Sequence, residues 1–343
     1  MVEATEEKIA VIGLKGFPSD FIGTSGIESY IENIIGQKSF RNKEYVCYVR
    51  NWAKPHSSIK KYPNVELVVI PTIKQKILDP LIYSFLASVY VCFSDQKIVW
   101  YQAIGTSLFC FLPKIFGKKI IITIHGLDWQ RTKWSFYEGL FIYAIFLFIL
   151  HICDELVVVS EQLRTYIKKR WKKDSFVVTP IITALNYTKS SYEQVLKKYP
   201  SIRKRKYILF LGRLVPEKRV EWLIRAFSEI HPQNYQLVIA GDESNTHKYK
   251  EQLLKLTQNF SNVIFTGYVF GGIKWALIQN CSLFVLPSQT EGNSISLLEA
   301  ISLNKSCLVA KNFIPNSQLK NKRISGFKKN SYSDFKQSLA NFF

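Results

Sequence analysis

The chain is short of acid. Asp and Glu number 26 against 46 Lys and Arg, a net charge of +20 over 343 residues. That imbalance favours an anionic partner: a nucleotide, a nucleic acid or an acidic membrane surface. The plainer alternative is a lysine-rich surface that only aids solubility. Basic clusters lie at Arg164 to Lys173, Lys197 to Lys206 and Lys320 to Lys329. No zinc finger, RRM signature or repeated basic helix accompanies them, so a nucleic-acid partner is not expected. The six cysteines never form CxxC, and the five histidines match no zinc spacing. Buried, reduced thiols and no metal are expected. The start, MVEATEEKIAVIG, is acidic and runs into an apparent strand, so it does not read as a signal peptide. The longest uncharged run is Gly139 to Cys153, 15 residues. As a helix it spans about 22 Å, short of a bilayer core. A core helix is the default reading, with a shallow contact on a membrane surface as the alternative.

What is present is an alternation of strands and helices. Lys8 to Gly13 reads as a strand, followed by a loop of small and turn residues. A helix then carries Ile27, Ile31, Ile34 and Ile35 on one face. The loop is not GxGxxG, so the dinucleotide fingerprint is absent. Gly26, just before the helix, suits a phosphate near a helix start or an ordinary tight turn. Strand-like runs follow to Val159, with helical stretches between most of them, and imply a parallel sheet with right-handed crossovers. After the strand ending at Ile124 come His125 and Asp128, a polar cluster at a strand terminus or a structural histidine. A polar, basic stretch with Pro180 and Pro200 reads as a linker. The alternation then restarts at Tyr207 and runs to Ala310. The expected domains are 1–185, a linker at 186–206, a second domain at 207–310 and a basic tail at 311–343.

Two corners of the second domain carry chemistry. Leu283 to Ala300 reads as a buried strand, a polar loop and a helix opening near Asn293 or Ser294. Pro287 ends the strand, Gly292 lets a ligand approach the backbone, and Asn293 is a good N-cap. Amides at the helix start suit a phosphate, and the carboxylates of Glu291 and Glu299 suit sugar hydroxyls. Glu291 as a helix cap and Glu299 as a solvated residue is the plainer account. Ile295, Leu297, Leu298 and Ala300 surround Glu299 with apolar groups, which speaks against it. After the strand ending at Gly212, Arg213 and Lys218 flank a turn. A guanidinium fork and an ammonium suit a diphosphate.

Together these stretches resemble the retaining glycosyltransferases of family 4, which have the GT-B fold of two Rossmann-like domains facing a cleft. The resemblance rests on ILFLGRLVPEKRVEWLIRAF, VIAGD, VIFTGYV, CSLFVLPSQTEGNSISLLEAISL and KIAVIGLKGFPSDFIGTSGIESYIENI, and covers about Lys8 to Ala310. The first third, with HGLDWQRTKW, also looks like the domain of bacterial rhamnosyltransferases. The resemblance implies that Arg213 and Lys218 hold a donor diphosphate and that Glu299 receives the ribose. It implies that Glu291 and the amides of Gly292, Asn293, Ser294 and Ile295 hold sugar and phosphate. Gly26 would meet the diphosphate, His125 and Asp128 would face the acceptor, and Tyr268 and Val269 would lie against the base. Catalytic roles fall to Glu291, His125, Arg213 and Lys218. No metal or other cofactor is implied, and no DxD is present. The expected function is transfer of a hexose, rhamnose among the candidates, from a nucleotide-diphosphate sugar to a saccharide, lipid-linked, at the cytoplasmic face of a membrane in surface-polysaccharide synthesis. Ser25 and Asn304 stand where the family often has glycine. The C-terminal helix that crosses back in relatives is expected to be missing or reduced to Tyr332 to Phe343. The alternative is therefore a catalytically silent module that binds sugar nucleotide or membrane.

Overall fold

The computed structural model describes residues 8–21, 26–53, 57–75, 77–130, 134–182, 189–242 and 246–343. Ser25 and residues 131–133 lie outside the described residues. The chain divides into two units, Met1–Ile181 and Ile182–Phe343.

In the first unit the chain runs β1 (Ile9–Ile12), α1 (Gly26–Ile35), β2 (Tyr45–Arg50), β3 (Val65–Ile70), α2 (Leu78–Cys92) and β4 (Ile98–Gln102). It continues with α3 (Phe111–Ile115), β5 (Lys119–Ile124), α4 (Phe136–Ile152), β6 (Glu155–Val158), α5 (Glu161–Trp171) and β7 (Phe176–Val177). The seven strands lie in the order β3-β2-β1-β4-β5-β6-β7, all pairs parallel. The strand order reverses between β1 and β4, so the carboxyl ends of those strands flank the ligand crevice of such a sheet. From β3 to β7 the chain always advances the same way across the sheet. Right-handed crossovers then place α2, α3, α4 and α5 on one face. Ring contacts agree with this layer: Phe85 of α2 meets Phe109, Phe111 of α3 meets Phe148 of α4, and Phe146 of α4 meets Trp171 of α5. On the first helix, Ile31, Ile34 and Ile35 are buried, as their spacing predicts. α4 begins with a capping box: the Ser135 hydroxyl accepts from the Glu138 amide, and the Glu138 carboxylate accepts from the Ser135 amide.

The second unit runs α6 (Lys189–Lys198), β8 (Tyr207–Leu211), α7 (Val220–Ile230), β9 (Gln236–Ala240), α8 (His247–Leu256), β10 (Val263–Gly267) and α9 (Gly271–Asn280). It ends with β11 (Leu283–Leu286), α10 (Ile295–Ser302), β12 (Cys307–Ala310), β13 (Ile324–Phe327) and α11 (Tyr332–Ala340). Its six strands lie in the order β10-β9-β8-β11-β12-β13, again parallel. The order reverses between β8 and β11. The loops bearing Arg213 and Lys218 on one side and Glu291 on the other are therefore neighbours by topology. Gly241 sits at φ +132, and a Cβ there would fall 1.9 Å from the Gly212 carbonyl oxygen. Only glycine allows β8 and β9 to end that close together.

Two boundaries differ from expectation. The stretch 186–206 holds α6, and Tyr192, Val195 and Ile202 join the second core. The tail 311–343 is part of the same unit: β13 extends the sheet, and Phe327, Phe335 and Leu339 are buried. Sparse apolar residues among lysines hid both, because their packing partners are distant in sequence. Between β4 and β5 the chain forms a 3-10 turn at Gly105–Ser107 followed by the short α3. Asn304, after α10, has φ +53, the left-handed conformation its side chain tolerates.

Candidate functional site

The second unit gathers most of the expected site where its strand order reverses. After β8 come Gly212 and the half-buried Arg213, and a 3-10 turn at Pro216–Lys218 follows. The Gln289 amide donates to the Glu217 carbonyl at 2.8 Å and ties this loop to the one after β11. The Lys218 ammonium donates to Glu291 Oε1 at 2.6 Å, with side chains only 15% and 9% exposed. A charge-assisted bond this sheltered is strong and geometrically specific. The acid and the base singled out from separate motifs are one ion pair.

The helix beyond Glu291 starts one residue later than the favoured Asn293. Ser294 is the N-cap of α10, in extended conformation, and its hydroxyl accepts from the Leu297 amide at 3.4 Å. Both residues are good caps, and apolar spacing alone does not separate neighbours. The amides of Ile295 and Ser296 precede the first intrahelical bond and stand at the helix mouth, beside the half-buried Gly292 and Asn293. Ser288, at the end of β11, is 1% exposed, and its hydroxyl has no hydrogen-bond partner among the described residues. A buried hydroxyl at a strand terminus is a ready contact for a ligand.

Glu299 is buried on α10 and does not meet Lys218. Its Oε1 accepts from the Lys274 ammonium of α9 at 2.6 Å. Sequence reading missed Lys274. The signal was present: it is the sole charge in the α9 sequence GGIKWALIQN. One carboxylate oxygen is held by Lys274, and the same carboxylate keeps further acceptor capacity for sugar hydroxyls. Between β10 and α9, Val269 is buried and Tyr268 lies parallel to Phe270, ring centroids 6.0 Å apart at 13°. Parallel rings give a flat aromatic platform of the kind a base stacks on.

In the first unit, His125 follows β5 directly. Its Nε2 lies 2.9 Å from Gln102 Oε1, and its ring meets Tyr30 edge-on at 4.9 Å and 89°. Gln102 ends β4, is fully buried, and leaves its Nε2 without a partner among the described residues. It is a second residue that sequence reading missed, since nothing in IVWYQ marks the glutamine as more than a strand end. Tyr30 donates to the Val178 carbonyl at 2.9 Å, and burial pushes its phenol above the ordinary range, so it stays a neutral donor. Asp128 opens a 3-10 turn at Asp128–Gln130, its amide bonded to the Gly126 carbonyl at 3.1 Å. Gly26 is the first residue of α1 and is exposed, and a Cβ added there meets nothing within 4 Å. Among the described residues no set of three or more His, Cys, Asp or Glu is grouped to hold a metal ion.

The chain is similar in sequence and fold to known proteins. Residues 191–342 match the family model described as glycosyl transferases group 1. An uncharacterized glycosyltransferase of Methanocaldococcus jannaschii is 36% identical over 106 residues, 31% of this chain and 27% of the relative, so the match spans well under half of that protein. Among solved structures, sucrose-phosphate synthase from Thermosynechococcus elongatus superposes with a TM-score of 0.77 at 15% identity, covering 98% of this chain and 89% of that one. Anabaena HepE, in a complex with UDP and glucose, superposes at 0.75 with 13% identity and the same coverages, 98% and 89%. The segment that holds Lys218, Lys274, Glu291 and Glu299 is thus similar to the glycosyl transferases group 1 family, and both units have the Rossmann-like architecture of the GT-B fold.

Proposed function

We propose that the protein is a retaining glycosyltransferase that moves a sugar from a nucleotide-diphosphate donor to a saccharide acceptor carried on a lipid, in the assembly of a surface polysaccharide. The observation that carries the reading is the sheltered Lys218–Glu291 pair between β8 and β11, beside the start of α10. The UDP and glucose bound by HepE fit a donor of this class.

Breaking a sugar–diphosphate bond builds negative charge on the leaving phosphate and oxocarbenium character on the sugar. In this reading Arg213, Lys218 and the amides of Ile295 and Ser296 receive the first charge from fixed positions. Glu291 holds the sugar and, through its bond to Lys218, aims the ammonium. Glu299 takes the ribose, steadied by Lys274. Tyr268 and Val269 face the base. Gly26 admits the diphosphate to the start of α1, and His125, oriented by Gln102, serves the sugar and acceptor with Asp128 nearby. Retention follows when the acceptor attacks the face that the diphosphate leaves, a departing phosphate oxygen taking its proton. No side-chain nucleophile and no metal enters that scheme.

A melting-temperature panel of nucleoside diphosphates and their sugars tests it, because a ligand that binds only the folded chain raises the melting point. One base is expected to give a clear upward shift. Lys218→Ala should abolish that shift and cut transfer by about 10²–10³-fold, the usual cost of losing one group that stabilises transition-state charge. A panel without any shift, or transfer undiminished in Lys218→Ala, rejects the proposal.

A further inference from the structure

The outer side of α4 is apolar along its whole length. The default for such a helix is full burial. Here one stripe faces outward instead: Tyr137, Phe141, Ala144, Phe148 and His151, at i, i+4, i+7, i+11 and i+14. Tyr137 is 80% exposed, Phe141 53% and Phe148 37%, and Phe136 and Leu140 flank them. Between Glu138 and His151 the helix has no charged residue. The stripe does not end at the helix edge. Phe148 meets Phe111 of α3, which leads through Phe109 to the exposed Phe85 of α2. At the far ends of α2 and α3, exposed Phe93 and Phe116 pair edge-on at 5.3 Å.

The next helix in the same layer is cationic. Exposed on or just after α5 are Arg164, Lys168, Lys169, Arg170 and Lys172, with Glu161 and Asp174 pairing to Arg164 and Lys168. Arg164, Lys168, Lys169 and Lys172 line a surface groove with Glu161 and Thr165. An apolar stripe rich in rings beside a cluster of fixed positive charge complements one kind of surface. Acyl chains accept the rings without asking for hydrogen bonds, and anionic headgroups neutralise the cations. A second copy of this chain is a poor match, because it would bring the same cations together on a molecule of net charge +20. Among the described residues no helix is long and apolar enough to cross a bilayer, so the contact lies in the plane of the interface.

We propose that the face formed by α4 and α5 docks the protein on an anionic lipid surface, the α4 stripe entering the headgroup–acyl boundary and the α5 cations binding headgroup phosphates. This stands apart from the transfer reading, since it uses neither the Lys218–Glu291 corner nor His125.

The test is co-flotation of the full chain with vesicles of phosphatidylcholine alone or mixed with phosphatidylglycerol. The wild-type chain should float with the mixed vesicles at low salt and lose most of that binding on neutral vesicles. Phe136→Ser/Tyr137→Ser/Phe141→Ser should weaken binding at least tenfold, and so should Lys169→Glu/Arg170→Glu. Both variants change exposed side chains, so their melting points and their response to nucleoside diphosphates should match the wild type. The proposal is overturned if the wild type stays unbound beside anionic vesicles at low salt. It is overturned equally if the serine variant floats as well as wild type, which would leave charge alone, or if that variant instead dissolves a dimer. A chain that floats yet ignores every nucleotide would sink the transfer reading and leave this one standing.

Discussion

A glycine that opens a helix without a strained backbone is replaceable unless something outside the chain needs its space. Gly26 is such a residue: among the described residues, a Cβ placed on it would have no atom within 4 Å. Gly26→Ala should leave the melting point unchanged or raise stability by about 0.5–1 kcal/mol, the usual advantage of alanine in a helix. Transfer should nevertheless fall at least tenfold, because the methyl occupies the approach to the helix start. Equal activity in the two proteins would remove Gly26 from the site. At this scale the sequence is informative where one corner supplies several groups. Glu291 and Lys218 each follow a strand within a recognisable loop, and their positions relative to those strands are readable. That they bond to one another is not, because 73 residues separate them. Lys274 and Gln102 were missed for the same reason: each acquires its meaning from a partner on another element, Glu299 and His125.

Among elements, the last strand and helix change most between sequence and structure. α11 reads as a remnant, yet Phe335 is fully buried, with ring contacts to Phe327 at 5.0 Å and Trp222 at 6.2 Å. Tyr332 and Lys336 also bond to Glu229 of α7. Phe335→Ala should destabilise the chain by about 3–5 kcal/mol, the range for emptying a well-packed aromatic site. Urea unfolding measures it, and a loss below about 1 kcal/mol would mean that α11 is only loosely attached. A long uncharged run was legible as a helix: nearly all of Gly139 to Cys153 lies in α4, Phe136–Ile152. The tail does open α11 on a Ser331 cap that accepts from the Asp334 amide, but its parallel pairing with β12 is a long-range event that composition does not record.

For the molecule as a whole, alternation of strand and helix was enough to read two doubly wound units, because each parallel sheet demands its crossovers. The division between them was less legible, since α6 is polar and basic outside and buries only a few residues within. All six cysteines are free and buried. Burial pushes the thiols of Cys110, Cys281 and Cys307 from the ordinary 9.0 up to about 12. Unfolded thiols ionise first, so this stability is complete below pH 9.0 and is lost as pH rises toward about 12. The urea midpoint should therefore fall as pH rises from 9.0 toward about 12, and Cys281→Ala/Cys307→Ala should flatten the decline. An unchanged slope in that variant would count against the assignment. The placement of the sulfurs has one more use. Cys47, Cys92, Cys110 and Cys153 belong to the first unit, Cys281 and Cys307 to the second. An alkylating reagent adds mass only where the interior opens, so the tally of adducts on each half would report which of them breathes first, with no label engineered into the chain.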